Sequence, residues 1–166
     1  MKRIMLFLAA VLITTSGFAQ RGTSALGLRA TPDGGGLTGK FYISKHLAFE
    51  GQLNAGGIMG LEGQSFNAVA LLEGHIYFPD PSWRMFLGGG LHTGVWDRGY
   101  RYVSSEGRYM DDNRAIFGID AIGGVEYVFK RIPLGLSLDI KPAVNFVSEA
   151  EFFSHNMFGA SARFYF

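Results

Sequence analysis

Glu73 and His75 are two residues apart, so on an extended chain both side chains leave the same face. An imidazole beside a carboxylate is the smallest unit that could do acid–base or metal chemistry. No second nearby His completes a ligand set, so the pair reads as a His held by a hydrogen bond, and no metal is expected. Gly34-Gly35-Gly36-Leu37-Thr38-Gly39-Lys40 satisfies GxGxxG and nearly completes a phosphate loop. Phe41 stands where Ser or Thr would hold magnesium, and the residues that follow alternate like a strand, so no nucleotide cofactor is expected. Asp111-Asp112-Asn113 could meet a cation, yet it lacks the spacing of a calcium loop. A larger set obeys no motif but shares an address. Arg29, Lys40, Glu50, Glu73, His75, Asp120, Glu126, Asp139, Lys141 and Arg163 all fall on the polar face of alternating segments.

There are eight such segments, and seven of them carry these residues. The clearest is the last stretch, where Leu134, Leu136, Leu138, Ile140, Pro142, Val144 and Phe146 alternate with Gly135, Ser137, Asp139, Lys141, Ala143 and Asn145. After a polar break at 148–156, Phe158, Ala160, Ala162, Phe164 and Phe166 alternate with Gly159, Ser161, Arg163 and Tyr165. Period-2 patterning of this kind is the mark of a strand with one apolar and one polar face. The same reading places earlier strands at 24–30, 37–43, 47–55, 66–78, 85–96 and 115–129. Thr31-Pro32-Asp33-Gly34, Ser44-Lys45-His46, Pro79-Asp80-Pro81-Ser82 and Lys130-Arg131-Ile132-Pro133 read as turns.

Two regularities fix the class. Connections near 31–36, 56–64, 97–114 and 148–156 are the longer ones, and they alternate with short ones near 44–46, 79–83 and 130–133. On the apolar face Phe66 and Phe78 lie 12 residues apart, as do Phe117 and Phe129. At roughly 3.3 Å per residue and a tilt of about 40°, each pair is separated by about 30 Å along a barrel axis, close to an apolar band of about 25 Å between aromatic girdles. Phe41, Phe164 and Phe166 join one girdle, and Phe146 and Phe158 the other. The expected fold is all-β: an eight-stranded antiparallel up-and-down transmembrane β-barrel with a polar lumen and lipid-facing aromatic girdles. Pro142 falls mid-strand, where its missing N–H calls for a bulge or a locally broken ladder.

Inside such a barrel four bases and five acids should pair, because an unpaired buried charge is costly. They read as a structural salt-bridge plug, with a charge relay or gated narrow pore as the alternative. Glycines on the inner face make room for larger side chains in a narrow barrel.

The totals agree with one exported domain. Met1-Lys2-Arg3, the apolar run from Ile4 to Ile13 and Gly17-Phe18-Ala19 read as a signal peptide, residues 1–19, with the barrel occupying 20–166. The chain has 15 basic and 14 acidic residues, two of the basic ones in the signal, so nucleic acid is not an expected partner. It has no Cys, which excludes disulfides and thiolate metal sites. Twenty-four glycines with 15 Phe, 7 Tyr and 2 Trp suit many short strands.

The alternating strands, the loop lengths and the terminal Arg163-Phe164-Tyr165-Phe166 resemble the small eight-stranded outer-membrane barrels, the OmpA transmembrane-domain and OmpX group. Gly27-Leu28-Arg29, Gly39-Lys40-Phe41-Tyr42 and Asp139-Ile140-Lys141-Pro142 are similar to barrel-only outer-membrane proteins of Bacteroidetes-type bacteria. The resemblance implies an outer-membrane location, with outer-membrane lipid and the barrel assembly machinery as partners and Phe164 and Phe166 as the assembly signal. It also implies a non-enzymatic structural or surface role, through loops that meet an extracellular partner. Two rival readings are a lipid-modifying enzyme and a soluble lipocalin-like barrel. The enzyme would need His and Ser two apart on a lipid-facing strand, which His92-Thr93 and Ser154-His155 do not supply. The lipocalin would need the register inverted, with the Phe pairs inside and nine charges outside.

Overall fold

The structure, a computed structural model, describes residues 24–32, 34–56, 64–103, 108–146 and 157–166; the side chains of Gln64 and 97–114 are outside that description. Residues 1–19, expected to be a signal peptide, and the whole of the break at 148–156 also lie outside it. Alternation of apolar and polar residues produces strands β1 (Ser24–Thr31), β2 (Gly34–Ser44), β3 (Leu47–Gly56), β4 (Gln64–Tyr77), β5 (Trp83–Val103), β6 (Arg108–Val128), β7 (Leu134–Ile140), β8 (Ala143–Asn145) and β9 (Phe158–Tyr165). Every pairing is antiparallel. Neighbours follow one another from β5 back to β1, then β9, β7 and β6, and the β5–β6 pairing closes the ring. Since β7 and β8 lie end to end along β6, the closed barrel has eight staves.

The wall is apolar outward and charged inward. Leu28, Leu87 and Leu138 are about 60% exposed, and Phe41, Phe66, Phe117, Phe146, Phe158 and Phe164 also point out. Lys40, Glu50, Glu73, Glu126 and Arg163, on the opposite faces of their strands, are at most 2% exposed. This polarity contradicts the inverted, lipocalin-like register. Both aromatic bands are present. Phe117 and Phe146 lie 6.3 Å apart near one rim, while Tyr127 lies 4.9 Å from both Trp83 and Phe129 near the other. The rim with the 44–47, 77–83 and 128–134 connections is called the lower rim here, and the one with 31–34, 56–64, 103–108 and 145–158 the upper.

Pro142 breaks the ladder without a bulge. Gly123 faces Ile140 and Asp120 faces Ala143, so two residues separate the paired positions on each strand and the register is unchanged. Ala121 N–H still donates to the Pro142 carbonyl at 3.0 Å, and the bond Pro142 cannot return is the one lost.

Three boundaries differ from the sequence reading. Residues 31–36 are not a longer connection, because Thr31 pairs with Gly34 and the glycines continue β2. Residues 97–114 are not mainly loop: β5 and β6 run on as a two-stranded ribbon to Val103 and Arg108, with one extra residue on β5 between Asp97 and Tyr100. Hydrogen bonding across a hairpin needs no apolar face, so polarity alone did not mark its end. Strand β5 also begins earlier, at Trp83, because Arg84 pairs with Glu126 and Tyr77.

Candidate functional site: the charged lumen

Cross-strand pairing sets the lumen's chemistry. Lys40 on β2 lies directly opposite Glu50 on β3, and Arg84 on β5 opposite Glu126 on β6. Barrel curvature then folds these pairs toward one another. The Lys40 ammonium sits 2.7 Å from Glu73, 3.1 Å from Glu50 and 4.0 Å from Glu126, with the Phe86 ring 4.4 Å away. Arg163 from β9 completes the group, donating to Glu50 and Ser137 at 2.8 Å, to Thr38 at 3.2 Å and to Glu126 at 3.4 Å.

Glu126 accepts from Arg84 at 2.8 Å and from the Tyr165 hydroxyl at 2.6 Å, and Arg84 also donates to that hydroxyl. The Arg84 guanidinium lies among the rings of Tyr42, Tyr165 and Tyr77, which fill the lower mouth. His75 rests 3.3 Å from Glu73 and against Tyr42 and Phe86. Glu50 further accepts from Thr38 and Gln52 at 2.8 Å, and Gln52, Asn54 and Asn67 continue a line of amides toward the upper rim. Three carboxylates, Glu50, Glu73 and Glu126, thus meet three cations, Lys40, Arg84 and Arg163, in a neutral group.

Two smaller groups lie nearer the upper rim. Arg29 on β1 pairs with Asp139 on β7. Between these strands β9 offers Gly159, where an added Cβ would fall 2.2 Å from the Arg29 guanidinium. Asp120 receives Lys141 at 3.0 Å and His92 at 2.8 Å, and the other ring nitrogen of His92 is 2.6 Å from the Asn145 side-chain oxygen. Val69, Leu71, Phe86 and Ile122 form an apolar cluster within the lumen between these charges and the lower group.

Every one of Arg29, Lys40, Glu50, Glu73, His75, Asp120, Glu126, Asp139 and Arg163 is buried in the lumen, and Lys141 is partly so. They do not form one network but three. Sequence reasoning missed Arg84, Tyr165 and His92 as members. Among the described residues Arg84 corrects the charge count from four bases to five, equal to the five acids. Its signal was present: Arg84, Phe86, Gly88, Gly90 and His92 are one period-2 face, hidden because the strand was started two residues too late. His92 of the pair His92-Thr93 faces the lumen rather than the outer wall. Among the described residues no group of three or more His, Asp and Glu is arranged to hold a metal ion.

Burying charges in this way is not a source of large net stability, because desolvation offsets much of the attraction. What it supplies is specificity: the charges meet their partners in this register, and a strand slipped by one residue would turn its own charges to the apolar side.

No protein-family model matches the chain, and no curated protein matches it either. Among solved structures it is similar to the N-terminal β-barrel domain of Pseudomonas aeruginosa OprF. The TM-score is 0.66 and the identity 12%, over 89% of this chain and 100% of that one. At this identity the likeness is one of fold, the closed eight-stranded antiparallel β-barrel.

Proposed function

We propose that the chain is an integral outer-membrane barrel with a structural and surface-interaction role, its lumen closed to ions. The observation that carries this reading is the polarity of the wall: large apolar side chains cover the outside between two aromatic bands, and charges of both signs in contact with one another fill the inside. Such a surface would aggregate in water and is satisfied by lipid. The lower layer leaves little room for ions, because three carboxylates and three cations contact one another and tyrosine rings stand below them.

In this reading the chain is exported by the 1–19 signal. Phe164 and Phe166 serve as the signal for the assembly machinery, and outer-membrane lipid surrounds the belt. The upper-rim connections meet an extracellular partner. Neither nucleic acid nor a cofactor has a part, and the role is not enzymatic. The test is refolding of residues 20–166 into lipid vesicles, followed by gel mobility with and without boiling and by planar-bilayer recording. A faster unboiled band and the absence of sustained conductance steps are expected. A protein that stays soluble without detergent would refute the membrane reading, and steady conductance would refute the sealed lumen.

A further inference from the structure

The outer wall is not evenly covered. Outward positions of β9 read Phe158, Ala160, Ala162, Phe164, so two methyl groups lie between two large rings. Leucines of the neighbouring strands, Leu28 on one side and Leu136 and Leu138 on the other, stand up beside them. The result is a furrow along β9. Its lower part, between Leu37 and Trp83, holds about 980 Å³, and a second hollow of about 600 Å³ continues it toward Pro32 and Phe158. The bounding phenylalanines are six positions apart, which makes the furrow roughly 20 Å long; the lining of the hollow reaches from Leu37 on β2 to Trp83 on β5, and its floor between the leucines, on three strands, is roughly 10–15 Å wide.

That footprint is roughly 300 Å², well below the about 800 Å² per partner that a stable protein interface needs. A second barrel, itself convex, would bridge the leucine ridges and leave the floor empty. A single flexible hydrocarbon chain would lie along it. Below the furrow the wall ends in Trp83, Tyr127 and Phe129, and the turn that follows β6 carries exposed Lys130 and Arg131. Lys130 reaches Asp80 at 3.1 Å, but both side chains are more than half exposed, so the ammonium remains open to a second anion.

We propose that the furrow seats one acyl chain of an anionic phospholipid whose phosphate meets Lys130 and Arg131. The seat rests on the membrane reading above, and the experiment separates the two. Wild type is refolded into vesicles containing phosphatidylglycerol with a photoactivatable group on its acyl chain, irradiated, and mapped by mass spectrometry. The same samples are run unboiled and boiled. Labelling is expected to concentrate on peptides spanning 134–140 and 158–166, above the opposite wall around Leu53 and Leu72. Filling the furrow with Ala160→Phe and Ala162→Phe should lower that labelling about tenfold, equivalent to about 1.4 kcal/mol, while Leu72→Phe leaves it unchanged. Lys130→Gln with Arg131→Gln should lower it for phosphatidylglycerol and not for a phosphatidylcholine carrying the same photoactivatable group, run in parallel. Even labelling around the belt, indifference to the two cation substitutions, or capture of a second copy along β9 would each overturn the seat. Loss of the heat-dependent shift in wild type would sink the membrane reading itself.

Discussion

Replacing Lys40 with Met removes the ammonium shared by Glu73 at 2.7 Å, Glu50 at 3.1 Å and Glu126 at 4.0 Å, while keeping much of the volume against Phe86. The three partners do not suffer alike. Glu50 keeps Arg163, Thr38 and Gln52, and Glu126 keeps Arg84 and Tyr165. Among the described residues Glu73 keeps only His75 as a contact, at 3.3 Å. The group as a whole changes from neutral to one excess negative charge, fully buried. Breaking a buried pair in this way costs about 3–5 kcal/mol, most of it the penalty for the stranded charge rather than the worth of the bond. Adding Glu73→Gln returns the group to neutrality, so the double variant should lie within about 1–2 kcal/mol of wild type despite lacking both partners. Stability is read as the urea dependence of the unboiled gel band in vesicles, with all four corners of the cycle measured together. A loss below about 1 kcal/mol in Lys40→Met would refute the argument that this ammonium holds the layer together. So would a double variant no more stable than the single one.

Gly159→Ala should cost about 1–3 kcal/mol by pushing against the Arg29 guanidinium. In an Arg29→Ala background the same change should be nearly free; equal costs in both backgrounds would show that the glycine serves something else. Tyr165→Phe deletes a hydroxyl that donates to Glu126 at 2.6 Å and should lower stability by about 1.5–3 kcal/mol on the same urea assay, with an unchanged midpoint as the contrary result. At the lower rim, the Ser82 backbone N–H and then Lys130 hold the Asp80 carboxyl below its usual range. A depressed folded value means that this contact is present above the unfolded value and lost as pH falls through the folded one. Carbon-13 titration in micelles should therefore find Asp80 titrating below a peptide aspartate, and Lys130→Gln should raise it; a value at or above the peptide's would contradict the geometry.

Much of this was legible in the sequence because a β-strand's side-chain period is fixed by local stereochemistry. Leu136 beside Ser137, or Phe164 beside Arg163, declares which face turns outward with no knowledge of any partner. The girdles followed from the same spacing, and so did the placement of nine charges indoors. Pro142 announced its own defect, since a missing donor is a property of one residue. Where strands stop is another matter. Arg84 belonged to β5 because Tyr77 and Glu126 were there to pair with it, and 97–114 continued as ribbon because two polar strands could bond to each other beyond the rim. Nor could alternation say which charges share a layer. Arg29 meets Asp139 from 110 residues away, and Lys40 collects carboxylates from three strands. The sequence by itself determined inside and outside, because that depends on one residue and its neighbours. Only the closed barrel decided height and partner, because these depend on strand tilt and stagger, which are set by all eight staves together.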